Sequence, residues 1–349
     1  MRILIVRLSA MGDLVQTLPA LTDAAKAFPN IKFDWVVDEA FAQVPGWHSH
    51  VENVFPTAFR KWGRNRIHAF ASGEPRSFVK QLRRNTYEMI VDVQGGLKSA
   101  FAARLAKGAR SGYDRQGVHD WGAQFFYQRK FSVPKGGHSI QRMRRLLADA
   151  LGYRFVEDEI DYGIVRSKFG PLSFDAPRPY LVFVHSTSWA SKIWPEHYWL
   201  ELTRQAGQAG FYVMLPWGDE VEQQRAVRIA GGHERALVLP RMSISEKAAV
   251  INGAKGSVGL DTGLSHIAAA LNVPSVTIYG ATDPLLVGAT GKGQLHLASN
   301  FECLRCHETE CTYEGEAEFK PACLIEITPK RVWEGLQELL SSEGARDEH

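Results

Sequence analysis

Residues 257–280, SVGLDTGLSHIAAALNVPSVTIYG, read as a buried strand, a polar turn, a short helix and a second buried strand. Apolar strands that alternate with helices are typical of parallel sheets covered by helices on both faces. Ligands bind such sheets where a strand leads into a helix, because free N–H groups at a helix N-terminus favour anions. Asp261, Thr262, Gly263 and His266 lie at this junction, which predicts half of a binding site.

The same alternation of strand and helix continues along the whole chain. An irregular stretch, SKFGPLSFDAPRP, interrupts it before YLVFVH restarts the pattern. We therefore predict an α/β protein with two Rossmann-like, doubly wound parallel-sheet domains, residues 1–165 and 178–328, that face each other across a cleft. Residues 329–349 form a final helix and tail, for which packing back on the N-terminal domain is one possibility.

Length and composition describe an ordinary globular protein. The 349 residues suit two domains, and 45% hydrophobic and 23% charged residues are usual proportions. Apolar runs stay well short of the ~20 residues that a membrane-spanning helix needs. The N-terminus runs directly into RILIV, without the pattern of a signal peptide. We expect a cytoplasmic protein without an integral membrane segment.

The net charge of +3 is unevenly distributed. Residues 56–145 hold 19 lysines and arginines against five acidic residues, a local charge of +14, which leaves −11 for the rest. Within this stretch FRKWGRNR interleaves cations with aromatic residues and lacks a clear helical period. It predicts a loop facing an anionic, partly apolar ligand, although solvated basic helix faces have a similar composition. No nucleic-acid-binding module is recognisable, so nucleic acid is not an expected partner.

All four cysteines lie close together near the end of the chain. Cys303, Cys306, Cys311 and Cys323 have the spacing C-x2-C-x4-C-x11-C. In a cytosolic chain such a cluster favours a metal over disulfides, and zinc is then the candidate for a structural site. Because the spacing is not that of a standard zinc ribbon, reduced thiols that tie down a loop are the favoured interpretation. No catalytic metal is predicted.

SAMGD follows the first strand, at residues 9–13. It is not the G-x-G-x-x-G motif of dinucleotide-binding proteins, and the chain has no G-x-x-x-x-G-K-[ST] motif of phosphate-binding loops. Gly12 permits a tight turn, and Asp13 falls in the first turn of the next helix. An acid at that position complements the helix dipole without any chemical role. Its place at the carboxyl end of the first strand, beside the predicted cleft, favours a role in chemistry.

VHSTSWASKIWP predicts a second group of ligands in the C-terminal half. Thr187 and Ser188 offer hydroxyls and Lys192 a compact cation. With Thr262, Gly263 and the amides that open the next helix, they predict a cradle for a diphosphate. A lysine exposed on the surface is the plain alternative for this position.

LPWGDEVE places Trp217 and Glu222 after another strand. A carboxylate there commonly accepts hydrogen bonds from ribose hydroxyls, and a surface glutamate on a helix is the alternative. His266 is open between a structural and a binding role, and Asp261 is also able to cap its helix. The chain contains no D-x-D triplet, so Lys192 and helix dipoles would have to stabilise a leaving diphosphate in any sugar transfer.

Taken together, these motifs resemble the ADP-heptose:lipopolysaccharide heptosyltransferases, glycosyltransferase family 9, which have the two-domain GT-B architecture. The resemblance spans residue 1 to about 290 and rests on ILIVRLSAMGDLVQTLPAL, DWVVDEAFAQVPGWH, VQGGLKSA, KIWPEHYW, LPWG and DTGLSHIAAALNVPSVTIYGATDP. FAQVPGWH and FRKW are similar to heptosyltransferase I, which adds the first heptose to Kdo. CLRCHETEC is similar to heptosyltransferase II and related members.

The resemblance implies an inverting glycosyltransferase that moves L-glycero-D-manno-heptose from ADP-heptose to a Kdo residue of Kdo-lipid A, in lipopolysaccharide inner-core biosynthesis. It implies Asp13 as the general base for the attacking hydroxyl. The implied donor-binding residues are Thr187, Ser188, Lys192, Trp217, Glu222, Met242, Asp261, Thr262, Gly263 and His266. The implied acceptor-binding residues are Ser9, Gly12, Arg60, Arg64 and Lys98.

The resemblance also implies the partners. They are ADP-heptose, a Kdo-lipid A acceptor and the anionic cytoplasmic face of the inner membrane, with no catalytic cofactor and a monomeric chain. Arg7, Leu8 and Ala10 stand where first-heptose enzymes carry a lysine followed by small hydroxyl residues. This departure leaves the acceptor open between Kdo2-lipid A and phospho-Kdo-lipid A.

Three alternatives remain at this stage. Heptosyltransferase II would act on an already heptosylated core. A GT-B-type sugar-nucleotide epimerase needs several carboxylates near the sugar, whereas SAMGD offers one. A non-catalytic nucleotide-sugar binding protein would bind the donor without releasing ADP when acceptor is added.

Overall fold

The computed structural model describes residues 1–65, 71–172, 174–303 and 305–347, so Arg66 of the basic segment lies outside the described residues. The chain divides into two compact units, Met1–Lys168 and Phe169–His349. Each unit contains one six-stranded parallel sheet flanked by helices. No described helix is both long enough and apolar enough to cross a membrane.

The N-terminal unit has the strand order β3-β2-β1-β4-β5-β6. Its strands are β1 (Arg2–Val6), β2 (Lys32–Asp38), β3 (Val51–Thr57), β4 (Thr86–Asp92), β5 (Lys107–Tyr113) and β6 (Arg129–Phe131). Its helices are α1 (Met11–Ala27), α2 (Gln43–Gly46), α3 (Phe59–Arg64), α4 (Glu74–Leu82), α5 (Leu97–Leu105) and α6 (Ser139–Leu151). The order reverses direction between β1 and β4, which makes the carboxyl ends of these two strands the expected ligand site.

The C-terminal unit repeats this arrangement, in the order β12-β11-β10-β7-β8-β9. Its strands are β7 (Tyr180–Val184), β8 (Tyr212–Leu215), β9 (Ala236–Val238), β10 (Gly256–Leu260), β11 (Ser275–Tyr279) and β12 (Gln294–Ala298). Its helices are α7 (Glu196–Gln208), α8 (Glu220–Ala230), α9 (Ile244–Asn252), α10 (Gly263–Ala270), α11 (Pro284–Val287) and α12 (Pro329–Asp347). Here the order reverses direction between β7 and β10.

The central strands form because their side chains are apolar on both faces. Residues 3–6 of β1 and residues 181–183 of β7 are fully buried, as a parallel sheet between helices requires. Helix α12 buries Val332 and Leu336 in the core of the C-terminal unit, where it packs against α7 and strands β10, β11 and β12. The sequence left open a contact of this helix with the other domain, and the structure packs its apolar face on its own unit.

Strand β5, KGARSGY, escapes a pattern search because it is poor in branched apolar residues. Its packing explains that composition: a Cβ on Gly112 would lie 2.5 Å from the ring of Tyr127. Tyr127 needs the space because its hydroxyl donates a 2.6 Å hydrogen bond to the buried Asp92. The ring therefore fixes the shape of this side of the sheet.

The loop predicted for FRKWGRNR is wrong over its first six residues, which form helix α3. Phe59 and Trp62 pack on the apolar core of the N-terminal unit, with ring centroids 5.4 Å apart. Arg60 and Arg64, four residues apart on the helix, are exposed. The two aromatic residues therefore anchor the helix on the core, and Arg60 and Arg64 face solvent.

Candidate active site

The C-terminal unit builds its polar site from the loops that follow β7 and β10, where the strand order reverses. Lys192 Nζ lies 2.6 Å from Asp261 Oδ2, and both side chains are largely buried. Thr282 Oγ1 donates a 2.6 Å hydrogen bond to the same carboxylate oxygen. Lys192 also lies over the ring of Trp189, with Nζ 4.2 Å from the ring centre. Three segments of the chain, the loops after β7, β10 and β11, are thus joined around one carboxylate.

Asp261 is held as a carboxylate by its surroundings. Burial alone would raise its pKa, but the His266 ring and the Lys192 ammonium act against it and bring the pKa well below the usual range. His266 Nε2 lies 3.7 Å from Asp261 Oδ1. The acid is therefore a fixed negative charge that orients a cation and an imidazole.

His266 has one ring nitrogen that the protein leaves unused. Its side chain is 8% exposed, and its buried Nδ1 has no hydrogen-bond partner among the described residues. An unpaired buried polar atom costs free energy, on the order of 1–3 kcal/mol, unless a ligand or water satisfies it. The described residues supply no partner for this nitrogen, so a hydrogen bond to it has to come from a ligand or water.

The N-terminus of α10 lies within this cluster. Thr262 is the N-cap residue and makes no side-chain cap, so the hydroxyl is not committed to its own helix. Ser265 Oγ instead donates to the carbonyl of Leu260 at 2.6 Å. A Cβ on Gly259 would lie 2.3 Å from Ser265 Oγ, so glycine allows the helix to approach the strand. Free amides at this helix start suit a phosphate.

The loop after β7 brings its hydroxyls to the same place. Thr187 Oγ1 lies 3.4 Å from the carbonyl oxygen of Asp261, and Ser188 is exposed. The predicted cradle residues Thr187, Ser188, Lys192, Thr262 and Gly263 therefore surround the carboxyl ends of neighbouring strands β7 and β10.

Trp217, Glu222 and Met242 follow strands β8 and β9 on one side of this cradle. Glu222 Oε2 accepts a 2.6 Å hydrogen bond from the amide of Gly218, which holds the carboxylate over its own loop. Trp217 Nε1 donates to the carbonyl of Leu239 at 2.5 Å, which ties the two loops together. Met242 is buried three residues beyond that carbonyl. Trp217 and Met242 are thus on adjoining loops, and Glu222 lies in the first turn of helix α8.

In the N-terminal unit, Asp13 is tied to a residue that the sequence motifs did not assign. Arg7 Nη2 lies 2.7 Å from Asp13 Oδ2, which also accepts a 3.0 Å hydrogen bond from the amide of Ala10. Asp13 therefore caps the N-terminus of α1 and, with the same oxygen, forms an ion pair with Arg7. The Asp13 side chain is about one third exposed, so the carboxylate remains accessible to a ligand.

The loops after β1 and β4 are joined, as the reversal of strand order requires. The amide of Leu8 donates to Gln94 Oε1 at 2.8 Å, and Arg7 Nη1 donates to the carbonyl of Val93 at 3.2 Å. Asp92, fully buried, accepts hydrogen bonds from the amides of Gln94 and Gly95 and shapes this turn. Burial raises the pKa of the Asp92 carboxyl despite these donors.

The remaining acceptor candidates are spread over the N-terminal unit. Ser9 is half-buried and Gly12 buried beside Asp13. Arg60 and Arg64 lie on α3, and Lys98 lies at the start of α5. All three cations are exposed, and none forms an ion pair with another described residue. They are free to meet an anionic ligand, but no contact joins them to Asp13.

Two contacts of the candidate site have no signal in the sequence motifs. In the sequence Arg7 is only a departure from the family pattern, because its ion pair with Asp13 requires the turn of residues 8–10 between β1 and α1. Thr282 lies 21 residues from Asp261, in the GATDP segment, and only the adjacent ends of β10 and β11 bring them together. No spacing rule in the sequence identifies either pair.

The four cysteines line one small cavity of about 20 Å³ together with Ser191 and Tyr313. All are free thiols, and burial raises the pKa of Cys323 to about 12, with a contribution from its cysteine neighbours. No group of three or more potential ligands in the described residues is arranged to hold a metal ion. The cysteine loop is attached to the loop after β7, since the Ser191 amide donates a 3.1 Å hydrogen bond to the carbonyl of Thr309.

Comparison with known proteins identifies one family. The family model "Glycosyltransferase family 9 (heptosyltransferase)" matches residues 75–316. Lipopolysaccharide heptosyltransferase 1 of Pseudomonas aeruginosa is 43% identical over 350 residues, covering 97% of this chain and 98% of the relative. The solved structure of E. coli heptosyltransferase WaaC with ADP is 40% identical and superimposes with a TM-score of 0.86 over 97% of this chain and all of the other. WaaC with ADP-2-deoxy-2-fluoro heptose, also 40% identical, gives 0.82 over 97% and 99%.

Proposed function

This chain belongs to glycosyltransferase family 9 and is a heptosyltransferase, and from that premise we propose that it moves L-glycero-D-manno-heptose from ADP-heptose to a Kdo residue of Kdo-lipid A. The observation that carries the donor assignment is the Lys192–Asp261–His266 cluster at the start of α10. It combines a buried cation, free amides and an unpaired imidazole nitrogen, which suits a sugar diphosphate. The similarity to lipopolysaccharide heptosyltransferase 1 of Pseudomonas aeruginosa and to WaaC in complex with a fluorinated ADP-heptose supports this donor.

The donor residues divide by chemistry. Lys192, Thr262 and Gly263, with the hydroxyls of Thr187 and Ser188, bind the diphosphate. Asp261 and His266 orient hydroxyls of the heptose, and Asp261 also fixes Lys192. The adenosine lies against Trp217 and Met242, with its ribose hydroxyls on Glu222. As the bond to the sugar breaks, Lys192 and the α10 amides stabilise the negative charge that develops on ADP.

Asp13 is the general base of this proposal. Its Oδ1 accepts the proton of the attacking Kdo hydroxyl, while Arg7 and the Ala10 amide hold Oδ2 and fix the orientation of the carboxylate. The hydroxyl oxygen bonds to the anomeric carbon, the bond from that carbon to the diphosphate breaks, and the configuration inverts. One base and a stabilised leaving group suffice for this single displacement.

The acceptor lies on the N-terminal unit in this proposal. Ser9 and Gly12 border the reacting hydroxyl, and Arg60, Arg64 and Lys98 bind the carboxylates and phosphates of Kdo2-lipid A or phospho-Kdo-lipid A. The excess of +14 over residues 56–145 supports this role and supports peripheral contact of a monomer with the anionic cytoplasmic face of the inner membrane.

The cysteine cluster has a structural role here, and catalysis needs no cofactor. Cys303, Cys306, Cys311 and Cys323 hold the loop that is fastened to Ser191, next to Lys192. Elemental analysis of the purified protein decides between reduced thiols alone and a structural zinc. One equivalent of zinc that is lost in Cys323→Ser would show that the cluster is a metal site.

ADP release tests the function as a whole. Wild type is given ADP-heptose with Kdo2-lipid A, and separately with phospho-Kdo-lipid A, in the presence of EDTA. Turnover with one acceptor identifies it, and Asp13→Asn should bind ADP but lose turnover. If neither acceptor releases ADP, the first-heptose assignment is wrong, and release with heptosylated core would make the chain a heptosyltransferase II.

A further inference from the structure

An exposed aromatic surface lies on the N-terminal unit beside Lys98, one of the acceptor candidates. Trp121 and Phe125 are 72% and 71% exposed, and their ring centroids are 6.0 Å apart. Phe101 and Leu97 on α5 are about half exposed. Apart from these three aromatic residues, the exposed large apolar side chains of the described chain are aliphatic. Large apolar side chains clustered in water indicate a binding surface.

The four residues belong to one surface, because α5 packs against the short helix Ala123–Phe126 that carries Phe125. The amide of Leu97 donates to Asp120 Oδ2 at 2.9 Å, next to Trp121 in the chain. We call Leu97, Phe101, Trp121 and Phe125 the aromatic patch.

Cations flank the aromatic patch. Lys98 follows Leu97 and lies close enough to Asp120 to contribute to its lowered pKa, after the Leu97 amide and His119. Arg104, exposed, is one turn beyond Phe101 on α5. The ring of Phe101 lies 6.2 Å from that of Phe59, which precedes Arg60 on α3.

We propose that the aromatic patch, with its flanking cations, inserts into the interface of an anionic phospholipid bilayer. Tryptophan and phenylalanine favour the boundary between headgroups and acyl chains, and lysine and arginine beside them gain from the negative surface. A contact with a second copy of this chain would not explain the flanking cations, since they would meet their own copies. The proposal rests on the proposed function, because it presents the Kdo-binding unit to an acceptor that is anchored in lipid.

Vesicle co-sedimentation of the full chain tests the proposal. Wild type should bind vesicles of phosphatidylethanolamine and phosphatidylglycerol more tightly than vesicles of phosphatidylcholine alone. The double variant Trp121→Ser/Phe125→Ser should lose about tenfold or more in partitioning, since two large apolar side chains leave the interface. The matched control Val221→Ser/Leu285→Ser removes side chains that are 74% and 71% exposed on the C-terminal unit and should bind as wild type.

Arg104→Glu tests the electrostatic part and should weaken binding to the anionic vesicles alone. Unchanged binding of the Trp121→Ser/Phe125→Ser variant would overturn the proposal. So would a wild-type dimer, seen by sedimentation velocity, that this variant converts to a monomer. ADP release with a deacylated, water-soluble Kdo acceptor separates the membrane proposal from the proposed transferase function. The Trp121→Ser/Phe125→Ser variant should release ADP as fast as wild type with this acceptor. No release by wild type would contradict the transferase function and would not change the vesicle result.

Discussion

Lys192 Nζ and Asp261 Oδ2 lie 2.6 Å apart, although 69 residues separate them in the chain. The loops after β7 and β10 meet because these strands are neighbours at the point where the sheet reverses its order. The pair is largely buried, so each charge has lost most of its hydration and depends on the other for stabilisation. On the proposed function, donor binding and local stability are therefore coupled at this position.

Breaking this pair should cost stability and donor affinity separately. Lys192→Met leaves the buried Asp261 with less compensation and should lower the free energy of unfolding by about 3–5 kcal/mol. Lys192→Met/Asp261→Asn removes both charges and should regain part of that stability, while affinity for ADP-heptose stays low in both variants. Urea unfolding and calorimetric titration measure the two quantities. A double variant that is no more stable than Lys192→Met would contradict the coupling.

Asp13→Asn should lower kcat by about 10²–10⁴-fold, the usual contribution of a general base. The amide keeps the shape of the side chain but accepts a proton poorly, and donor affinity should stay near that of wild type. Asp149→Asn is a suitable control, because Asp149 is an exposed acid of α6 that pairs with Arg145. Steady-state ADP release measures kcat, and a wild-type rate in Asp13→Asn would assign Asp13 to capping the helix alone.

The exposed arginines of α3 should act on the acceptor and not on the donor. Arg60→Ala/Arg64→Ala should raise KM for Kdo-lipid A, with a larger effect at low salt, because interactions between exposed charges are screened by ions. KM for ADP-heptose should not change. Arg204→Ala removes an exposed arginine of α7 that pairs with Glu201 and serves as the control. An equal rise of KM for Kdo-lipid A in Arg60→Ala/Arg64→Ala and in Arg204→Ala would contradict a specific role of α3.

His48 should make the N-terminal unit sensitive to acid. Burial, with His50 and Lys168 nearby, lowers the pKa of His48 to about 3. Its Nδ1 accepts a 3.1 Å hydrogen bond from the amide of His50, which a protonated ring cannot do. Between the unfolded pKa of 6.5 and about 3 the unfolded chain binds one proton more, so the free energy of unfolding falls as the pH falls.

From pH ~7 to ~5 this linkage amounts to about 2 kcal/mol, at about 1.4 kcal/mol per pH unit for one proton. His48→Asn removes the titrating group and should lose that much less stability over the same interval in urea unfolding. His197→Gln, at an exposed position of α7, should follow wild type. Parallel curves for wild type and His48→Asn would show that His48 does not carry the linkage.

Much of the fold was predictable because its signal is local. Apolar strands such as β1 and β7 are recognisable as buried from their sequence alone, and helix α1 begins at Met11, which places Asp13 in its first turn as predicted. Strand β5 was not predictable, because its small residues are required by packing against Tyr127, which comes from a different segment of the chain. The predicted loop at FRKW was wrong for the same reason. Its helix is stabilised by packing of Phe59 and Trp62 on a core that the local sequence does not reveal.

The sequence by itself determined the two alternating α/β halves, the family and the residues that stand at the strand ends, because these depend on periodicity and short motifs. Only the tertiary structure decided which of those residues meet. It paired Arg7 with Asp13 and joined Lys192 and Thr282 on Asp261, contacts that arise when the loops after neighbouring parallel strands converge. It also left the aromatic patch exposed to solvent, since the exposure of a side chain depends on whether any other segment of the chain packs over it.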